Sequence, residues 1–423
     1  RAIERVLKGP ASSDIADIVG TRAYRAGRTT HVAGISATAR TLTIRLVRPS
    51  PSLPARIAMP DFCAVPPETP VRPGGLKQPI PSAGPYYIVA HTPGSELVLR
   101  RNPNYRGPRP RRLDEIDYHF GATVQQGSAL VEAGPADYAG DSLGQLQSGS
   151  AVSPGVDARL ARRYGPQSQA ARSGRQRYFI DRELAHEYLL LNARRPLFAS
   201  ARMRRAASFA VDRPALARNA QAGFASVPTD QYLPSGMPGF RDADVYPLGG
   251  PDVARARSLA GAHRRHAVMY TCNTRPCENV AAIVKANLRA IGITVDIRRF
   301  PYPLIFDREL APGARYDIGW FGWIANYADP SQFIDASVPG FALDFPGADA
   351  QRYRRRIATA ARLSGGPRLR AYGRLDVDLA THVAPVVAFA DQTARDFFSS
   401  RIGCQTYQPF YGMDLAALCV RRP

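Results

Sequence analysis

The stretch HAVMYTCNTRPCENVAAIVKANLRAIGITVDIRRF, residues 266–300, places one helix pattern between two strand patterns. The flanking runs, 266–272 and 293–300, are short, rich in β-branched and aromatic residues, and typical of strands. Between them, residues 278–292 repeat apolar side chains at helical spacing. Two parallel strands need a crossover of about this length, so the stretch predicts a β-α-β unit and an α/β fold.

Further strands and helices are predicted on both sides of this unit. The apolar runs EYLLLN (187–192) and PVVAFA (385–390) are predicted to be strands that cross between two lobes. Residues 196–220 give one strong helix signal that begins at an N-cap, Ser200. The other predicted strands are 41–49, a hairpin over 84–103, 115–120 and 316–323, and the other predicted helices are 123–134, 251–262, 348–363 and 367–381.

Composition indicates a globular chain without a membrane span. The 423 residues contain 56 basic and 35 acidic side chains, a net charge of +21, and only three of the basic residues are lysines. The scattered arginines are typical of a GC-rich genome, with one dense patch at 100–112 that could bind a polyanion. No apolar run approaches 18 residues, and the opening RAIERVL is not a signal peptide, so we expect a mature form or a fragment.

The five cysteines allow the hypothesis of two disulfides. Cys404 and Cys419 flank a loop near the end of the chain, and Cys272 and Cys277 are close enough in sequence to pair. That pairing would leave Cys63 free and would indicate an oxidising compartment; the alternative is five reduced, buried thiols. No C-x-x-C spacing or histidine cluster predicts a metal site, and we expect no cofactor.

Catalytic signatures are absent or weak. The phosphate-binding loop, the dinucleotide-binding glycines, H-E-x-x-H and G-x-S-x-G do not occur. GDSLG (140–144) matches the nucleophile block of one esterase family, which makes Ser142 a candidate nucleophile. That family also needs a late D-x-x-H, and here Asp378 and His382 stand one residue too far apart. A polar loop after a strand is the simpler interpretation, and we predict that the protein is not an enzyme.

Four blocks in order along the chain resemble the extracytoplasmic solute-binding proteins of ABC importers, and more narrowly family 5, which binds dipeptides, oligopeptides and nickel. They are TLTIRLVRPSPSLPARIAMPDFCAVPPETP (41–70), SAGPYYIVAHTPGSELVLRRNPNYRGPRP (82–110), LLLNARRPLFASARMRRAASFAVDR (189–213) and DIGWFGWIANYADPSQF (317–333). Ala83, Arg106 and Ser200 depart from the family pattern. Because family members carry about a hundred further residues before the position of Arg1, we expect an N-terminally incomplete first lobe.

The resemblance implies a two-lobed periplasmic-binding-protein-like α/β fold of type II, large cluster. Mixed sheets flanked by helices would close on a ligand about a hinge of crossing strands. Lobe I would span 1–187, with a small β subdomain at about 1–78, and would continue at 392–423; lobe II would span 188–391.

The same resemblance assigns candidate binding residues to the turn that follows strand 316–323. Trp323 aligns with an aromatic wall of the ligand side-chain pocket, and Tyr327 lies in the same turn. Asn326 occupies the position where peptide-binding relatives use an aspartate to pair with the α-ammonium group. An amide brings no charge, so we expect a ligand without a free α-amine, unless the turn rotates and Asp329 substitutes. Trp320, Phe321 and Phe333 are predicted to be core.

Two further residues complete the predicted site. Arg275, just before the helix at 278–292, is expected to hold a ligand carboxylate, as an arginine in this loop does in dipeptide-binding relatives; a solvated loop arginine is the alternative. Asn192, on a crossing strand, is expected either to hydrogen-bond the ligand backbone or to serve the hinge.

Together these residues predict the solute-binding component of an ABC importer. It would be extracytoplasmic, as a lipoprotein or in the periplasm, would be monomeric, and would deliver a peptide or peptide-like solute to a membrane permease. The rival hypotheses are a basic protein that binds nucleic acid or an anionic envelope polymer through 100–112, and a hydrolase that uses Ser142.

Overall fold

A computed structural model describes residues 2–70, 79–140, 154–220, 226–302, 304–311, 313–335, 348–409 and 411–421. The chain divides into two compact units. The first comprises Arg1–Ala122, Ile402–Thr406 and Asp414–Pro423, and the second comprises Thr123–Arg401 and Tyr407–Met413.

The first unit contains short helices and three small antiparallel sheets, the third of which is formed by strands near the end of the chain. Its helices are α1 (Ala2–Val6), α2 (Thr21–Arg25) and α3 (Leu53–Ile57), with 3-10 turns at Pro10–Ile15 and Pro60–Phe62. Strands β1 (Ile35–Ala37) and β2 (Leu42–Ile44) pair with each other, and β3 (Tyr86–Thr92), β4 (Glu96–Arg101) and β5 (Glu115–His119) form a three-stranded sheet. The predicted hairpin over 84–103 is therefore present as β3 and β4.

The second unit begins with helices that flank the start of its sheet. These elements are α4 (Val124–Ala133), β6 (Tyr138–Gly140), α5 (Pro154–Tyr164), α6 (Gln169–Arg172) and β7 (Tyr178–Leu191). Thr123 and Gln126 form a reciprocal capping box at the start of α4, and Gly134 ends the helix in the left-handed conformation that glycine tolerates.

The segment 196–220 is not the single helix that its pattern predicts. It contains a 3-10 turn at Pro196–Phe198, then α7 (Ala201–Ala210) and α8 (Arg213–Ala220). Ser200 caps α7 as predicted, since its hydroxyl accepts the N–H of Met203. The break follows from Pro214, which has no N–H for the carbonyl four residues before it and whose ring would clash with that carbonyl in a continuous helix, and from Asp212, whose carboxylate accepts the N–H of Ala215.

The remaining elements of the second unit build a seven-stranded mixed sheet with helices on its faces. They are β8 (Val227–Pro228), α9 (Val253–Ala260), β9 (Arg265–Cys272), α10 (Arg275–Arg289), β10 (Ile293–Phe300), α11 (Leu304–Leu310), β11 (Ile318–Ile324), α12 (Ser331–Ile334), α13 (Ala348–Arg362), α14 (Gly365–Asp378), a π-helical turn at Leu379–Val383 and β12 (Val386–Phe398). The C-terminal segment adds β14 (Tyr407–Gln408) and β15 (Gly412–Met413), which pair in the second unit, and β13 (Ile402–Gly403) and β16 (Cys419–Val420), which pair in the first.

Sheet order is β10-β9-β11-β7-β12-β6, with β8 paired to β12. Strands β9, β10 and β11 are parallel, so the predicted β-α-β unit is present, and β7 runs antiparallel to both β11 and β12. The main hydrophobic core lies around β7, β9, β11 and β12 and the helices that cover them.

The two crossing strands are longer than their apolar runs predict, because β7 and β12 continue through charged residues and stay paired with each other. The predicted lobe boundaries, 187/188 and 391/392, fall inside these two strands, and both sides of each boundary belong to the second unit. The division into lobes stays a prediction. In the part of the chain that is described, no helix combines the length and apolar character that crossing a membrane requires.

Candidate ligand site

The site is built at the edge of the sheet where three parallel strands end. Strands β9, β10 and β11 end at Cys272, Phe300 and Ile324. Ligands of open α/β sheets bind outside the carboxyl ends of such strands, because the following loops and helix N-termini converge there. Arg275 follows β9 and Asn326 follows β11, so the structure places both at this edge.

Arg275 is the first residue of α10 and its side chain is exposed. Within the described chain, no hydrogen bond or ion pair joins its guanidinium group to another residue. Its neighbour on the helix, Glu278, is paired with Arg299, whose Nε lies 3.0 Å from the carboxylate. The cation at this helix start is therefore available for an anion, and the positive end of the helix dipole favours the same charge.

Both disulfides are present in the structure. Cys272–Cys277 joins the end of β9 to the first turn of α10 and so encloses the segment that carries Arg275. Cys404–Cys419 joins β16 to the residue that follows β13. Cys63 is a free, exposed thiol.

The aromatic residues of β11 and its turn divide between core and edge. Trp320, Phe321 and Phe333 are buried in the main core, as predicted, and Tyr327 is buried too. Trp323 is half-buried and packs against the edge of that core, where its indole N–H has no hydrogen-bond partner among the described residues.

The turn after β11 is fixed by side chains. The exposed Asn326 donates its backbone N–H to Gln332 Oε1 at 2.9 Å. Both carboxylate oxygens of Asp329 bind the guanidinium group of the buried Arg368, at 2.7 and 2.9 Å. Asp329 also accepts the backbone N–H of Ser331 at 3.0 Å, so its carboxylate is held inside the protein and does not replace the missing charge at Asn326.

Asn192 is not brought together with these residues. It follows β7 at the end where Leu191 pairs with Ile318, the first residue of β11, whereas Asn326 follows the last. Asn192 is level with Asp317, nine residues before Asn326, so the two positions lie roughly 30 Å apart along the strand. The Asn192 amide donates to the carbonyl of Tyr316 at 2.9 Å, which fixes the loop before β11.

Sequence reasoning missed Glu183, which the pairing of β7 brings beside Asn326. The carbonyl of Leu184 accepts the N–H of Ala325 at 2.8 Å, so Glu183 and Asn326 are the next residues on either side of this bond. The N–H of Leu184 donates to the carbonyl of Pro409, which places Pro409 at the same edge of β7. The only signal was a glutamate inside a mixed-charge run, before the apolar residues that revealed the strand.

Burial shifts the pKa values of several groups on β7. It raises the pKa of Glu183 to about 7, with a further contribution from the nearby Asp396. Burial also raises the pKa of Glu187 to about 8, although its carboxylate accepts the indole N–H of Trp320 at 3.1 Å and the Gln392 amide at 3.2 Å. The same cause lowers the pKa of His186 to about 3.

The two rival hypotheses gain no support from the structure. The arginines of 100–112 bind carboxylates and carbonyls of their own unit: Arg100 with Glu115, Arg101 with Asp114 and Arg109 with Asp414. Ser142 lies outside the described residues. No group of three potential metal ligands occurs in the described ranges.

Comparison with known proteins identifies the family. A family model described as bacterial extracellular solute-binding proteins, family 5, matches residues 2–342. The chain belongs to this family. The resemblance read from the four sequence blocks is thereby confirmed, and the family is one of solute-binding proteins rather than enzymes.

Curated proteins that are similar to this chain in sequence are oligopeptide-binding proteins. The chain is 26% identical over 273 residues to the oligopeptide-binding protein OppA of Mycobacterium bovis, and equally to that of Mycobacterium tuberculosis. The match covers 60% of this chain and 42% of the relative, so the chain spans less than half the length of these relatives.

Solved structures of this family share the fold over the whole chain. Clavulanic acid biosynthesis oligopeptide binding protein 2 has a TM-score of 0.82 at 19% identity, covering 100% of this chain and 79% of its own. The periplasmic murein tripeptide binding protein MppA, in an unliganded open form, has a TM-score of 0.74 at 16% identity, covering 99% and 81%. These likenesses confirm the predicted fold class.

Proposed function

We propose that this protein is the solute-binding component of an ABC importer. It captures a peptide or peptide-like solute at the carboxyl edge of the large sheet and delivers it to a membrane permease. It acts outside the cytoplasm, on the cell surface or in the periplasm, as a monomer without enzymatic activity. Membership in family 5 and the peptide-binding names of the relatives support this proposal.

The observation that carries the proposal is the position of Arg275. Its exposed guanidinium group has no partner in the described chain and stands at the start of a 15-residue helix, on the same edge as Trp323 and Asn326. A guanidinium group can bind a carboxylate through two parallel hydrogen bonds, and a helix N-terminus favours the same charge. Arg275 would hold the ligand carboxylate, and Trp323 would contact its apolar part.

The first experiment is native mass spectrometry of the gently purified, full-length protein, followed by denaturation to identify any released molecule. A peptide-like mass in stoichiometric amount supports the proposal. An empty protein that ignores a panel of peptides and metal chelates in thermal-shift assays contradicts it and indicates another solute class.

A variant then tests the assigned anchor. Removing a charge-assisted hydrogen bond costs about 1.5–3 kcal/mol, so Arg275→Ala should raise the Kd of a carboxylate ligand roughly 10- to 150-fold. The matched control is Arg298→Ala, which removes an exposed arginine from β10 of the same sheet and should leave Kd unchanged. Equal affinities of both variants and the parent protein would refute the assignment of Arg275.

A further inference from the structure

Three carboxyl groups lie close together on the crossing strands beyond the end of β11. In the ladder between β7 and β12, Asp181 lies opposite Ala394, and Phe179 lies opposite Asp396. Directly opposite residues, and residues two apart on one strand, point to the same face of a sheet. Asp181 and Asp396 therefore lie on one face. The register of the two strands shifts at Glu183, whose carboxyl group lies near that of Asp396, and this cluster is next to the carboxyl edge of the site.

Of these three acids, Glu183 is the one that is both buried and without a hydrogen-bond or ion-pair partner in the described chain. It is 8% exposed, and no hydrogen bond or ion pair reaches its carboxyl group from the described chain. Buried acids elsewhere in the unit are paired, for example Asp329 with Arg368 and Asp317 with Arg195. A buried polar group without a partner carries a desolvation cost, and that cost is recovered where a ligand supplies the partner.

The charged groups around Glu183 do not neutralise it. From β12, Arg395 favours the ionised form of Glu183, but its guanidinium group is bound to Asp157 and to the Thr393 hydroxyl. Asp396 accepts the Tyr138 hydroxyl from β6, while its second oxygen has no partner among the described residues.

Two more groups face this cluster from elements packed against it. From β14, the Tyr407 hydroxyl is buried near the three acids, which together with burial raise its pKa. The neighbouring Arg182 binds Ser235 instead. The cluster of three carboxyl groups is therefore not neutralised by nearby cations, and it lies next to the uncharged Asn326.

We propose that Glu183 is the specificity-determining acid of this site and binds the ammonium group of a ligand whose carboxylate is held by Arg275. The assignment rests on the proposed function and reverses the expectation drawn from Asn326 alone. The negative charge that the turn lacks is supplied by the adjacent position of the crossing strand, so the ligand carries a free amine.

The two anchors define the class of this ligand. Arg275 follows β9 and Glu183 is on β7, with β11 between them, so two strand separations of about 10 Å lie between the strands that carry them. A separation along the strands adds to this distance, because β9 ends at Cys272, level with Phe321, whereas Glu183 lies level with Asn326. The ligand class is a zwitterionic peptide whose two ends reach both anchors.

This arrangement makes binding depend on pH. Burial and Asp396 keep a proton on part of the Glu183 population near neutrality, since the pKa is about 7. A bound ammonium group favours the carboxylate, so binding of a free-amine peptide releases a proton below pH 7. Affinity rises between pH 5.5 and 7.5, and it falls above about pH 8 as the α-amino group of the peptide loses its own proton.

The test is isothermal titration calorimetry with alanine- and phenylalanine-containing di- and tripeptides, each with a free and an N-acetylated amino terminus. We expect the parent protein to prefer the free amine by at least about 10-fold. Glu183→Gln should remove the preference by weakening only the free-amine peptides. Asp296→Asn, which removes an exposed negative charge from β10, should retain it.

Measuring proton release requires only the parent protein, so the assignment can still be tested if the Glu183→Gln variant does not fold. Titrations of the parent protein at pH 6 in buffers of different ionisation enthalpy should show protons released with free-amine peptides and fewer with their acetylated partners. Binding without a preference for the free amine, or without this difference in proton release, overturns the assignment and leaves the proposed function standing. Failure of every peptide to bind the parent protein contradicts the proposed function, and the role of Glu183 falls with it.

Discussion

Replacing Glu187 by glutamine should change the pH dependence of stability more than stability itself. Glu187 is 1% exposed on β7, and burial raises its pKa to about 8 from an ordinary value of 4.5. Because the folded state holds the proton more tightly than the unfolded state, the contribution of Glu187 to stability is complete below about pH 4.5. It is lost progressively as pH rises to about 8.

The magnitude follows from this difference in pKa. Each pKa unit is worth 1.36 kcal/mol. Because Glu187 ionises in the unfolded chain several pH units before it does so in the folded protein, the free energy of unfolding of the parent protein falls by about 4–5 kcal/mol by pH 8. Glutamine does not ionise, and a reversed Gln392 amide can still bond to it, so the substitution itself costs about 1 kcal/mol. The stability of Glu187→Gln relative to the parent protein should therefore rise by about 1.4 kcal/mol per pH unit between pH 5 and 8.

The assay is urea unfolding followed by tryptophan fluorescence between pH 5 and 9. Both tryptophans of the chain are on β11, so the signal reports the second unit. His186, whose pKa burial lowers to about 3, contributes stability that is present above its ordinary pKa of 6.5 and is lost as pH falls. That loss is common to both proteins and cancels in the difference.

A second variant separates ionisation from hydrogen bonding. Glu187→Met also removes the ionisable group but bonds to neither Trp320 nor Gln392, so its curve should parallel that of Glu187→Gln at lower stability. If the parent protein and Glu187→Gln gave parallel curves across this range, the inference of a protonated, buried Glu187 would be refuted.

Three further changes should affect stability by separate mechanisms. Asp329→Asn leaves Arg368 buried without its partner and should cost about 3–5 kcal/mol, measured by the same fluorescence-detected unfolding; a loss below 1 kcal/mol would contradict a desolvated pair. Replacing both Cys404 and Cys419 by serine opens a loop of 15 residues and should cost about 3 kcal/mol, which calorimetry would show; reduction of the parent protein should cost more, because it also opens Cys272–Cys277. Thr123→Ala removes a helix cap and should cost about 1 kcal/mol, whereas Thr123→Ser should preserve stability in the same measurement.

The sequence by itself determined the fold class and the family. The β-α-β unit at 266–300 is visible because apolar spacing reports directly which face of an element is buried, and four ordered blocks identified the family. The same local rules located the hairpin over 84–103 and the cap at Ser200. They failed at 196–220, where the apolar pattern hid the break that Pro214 and Asp212 impose.

Only the tertiary structure decided which polar residues share the site. Glu183 is distant from Asn326 in sequence, and the two become neighbours because β7 pairs with β11 through Leu184 and Ala325. Asp329 is an ordinary turn residue in the sequence, and its commitment to Arg368 depends on how α14 packs against that turn. Periodicity records whether a side chain is buried, but the partner of a buried charge is set by strand register and helix packing between distant segments.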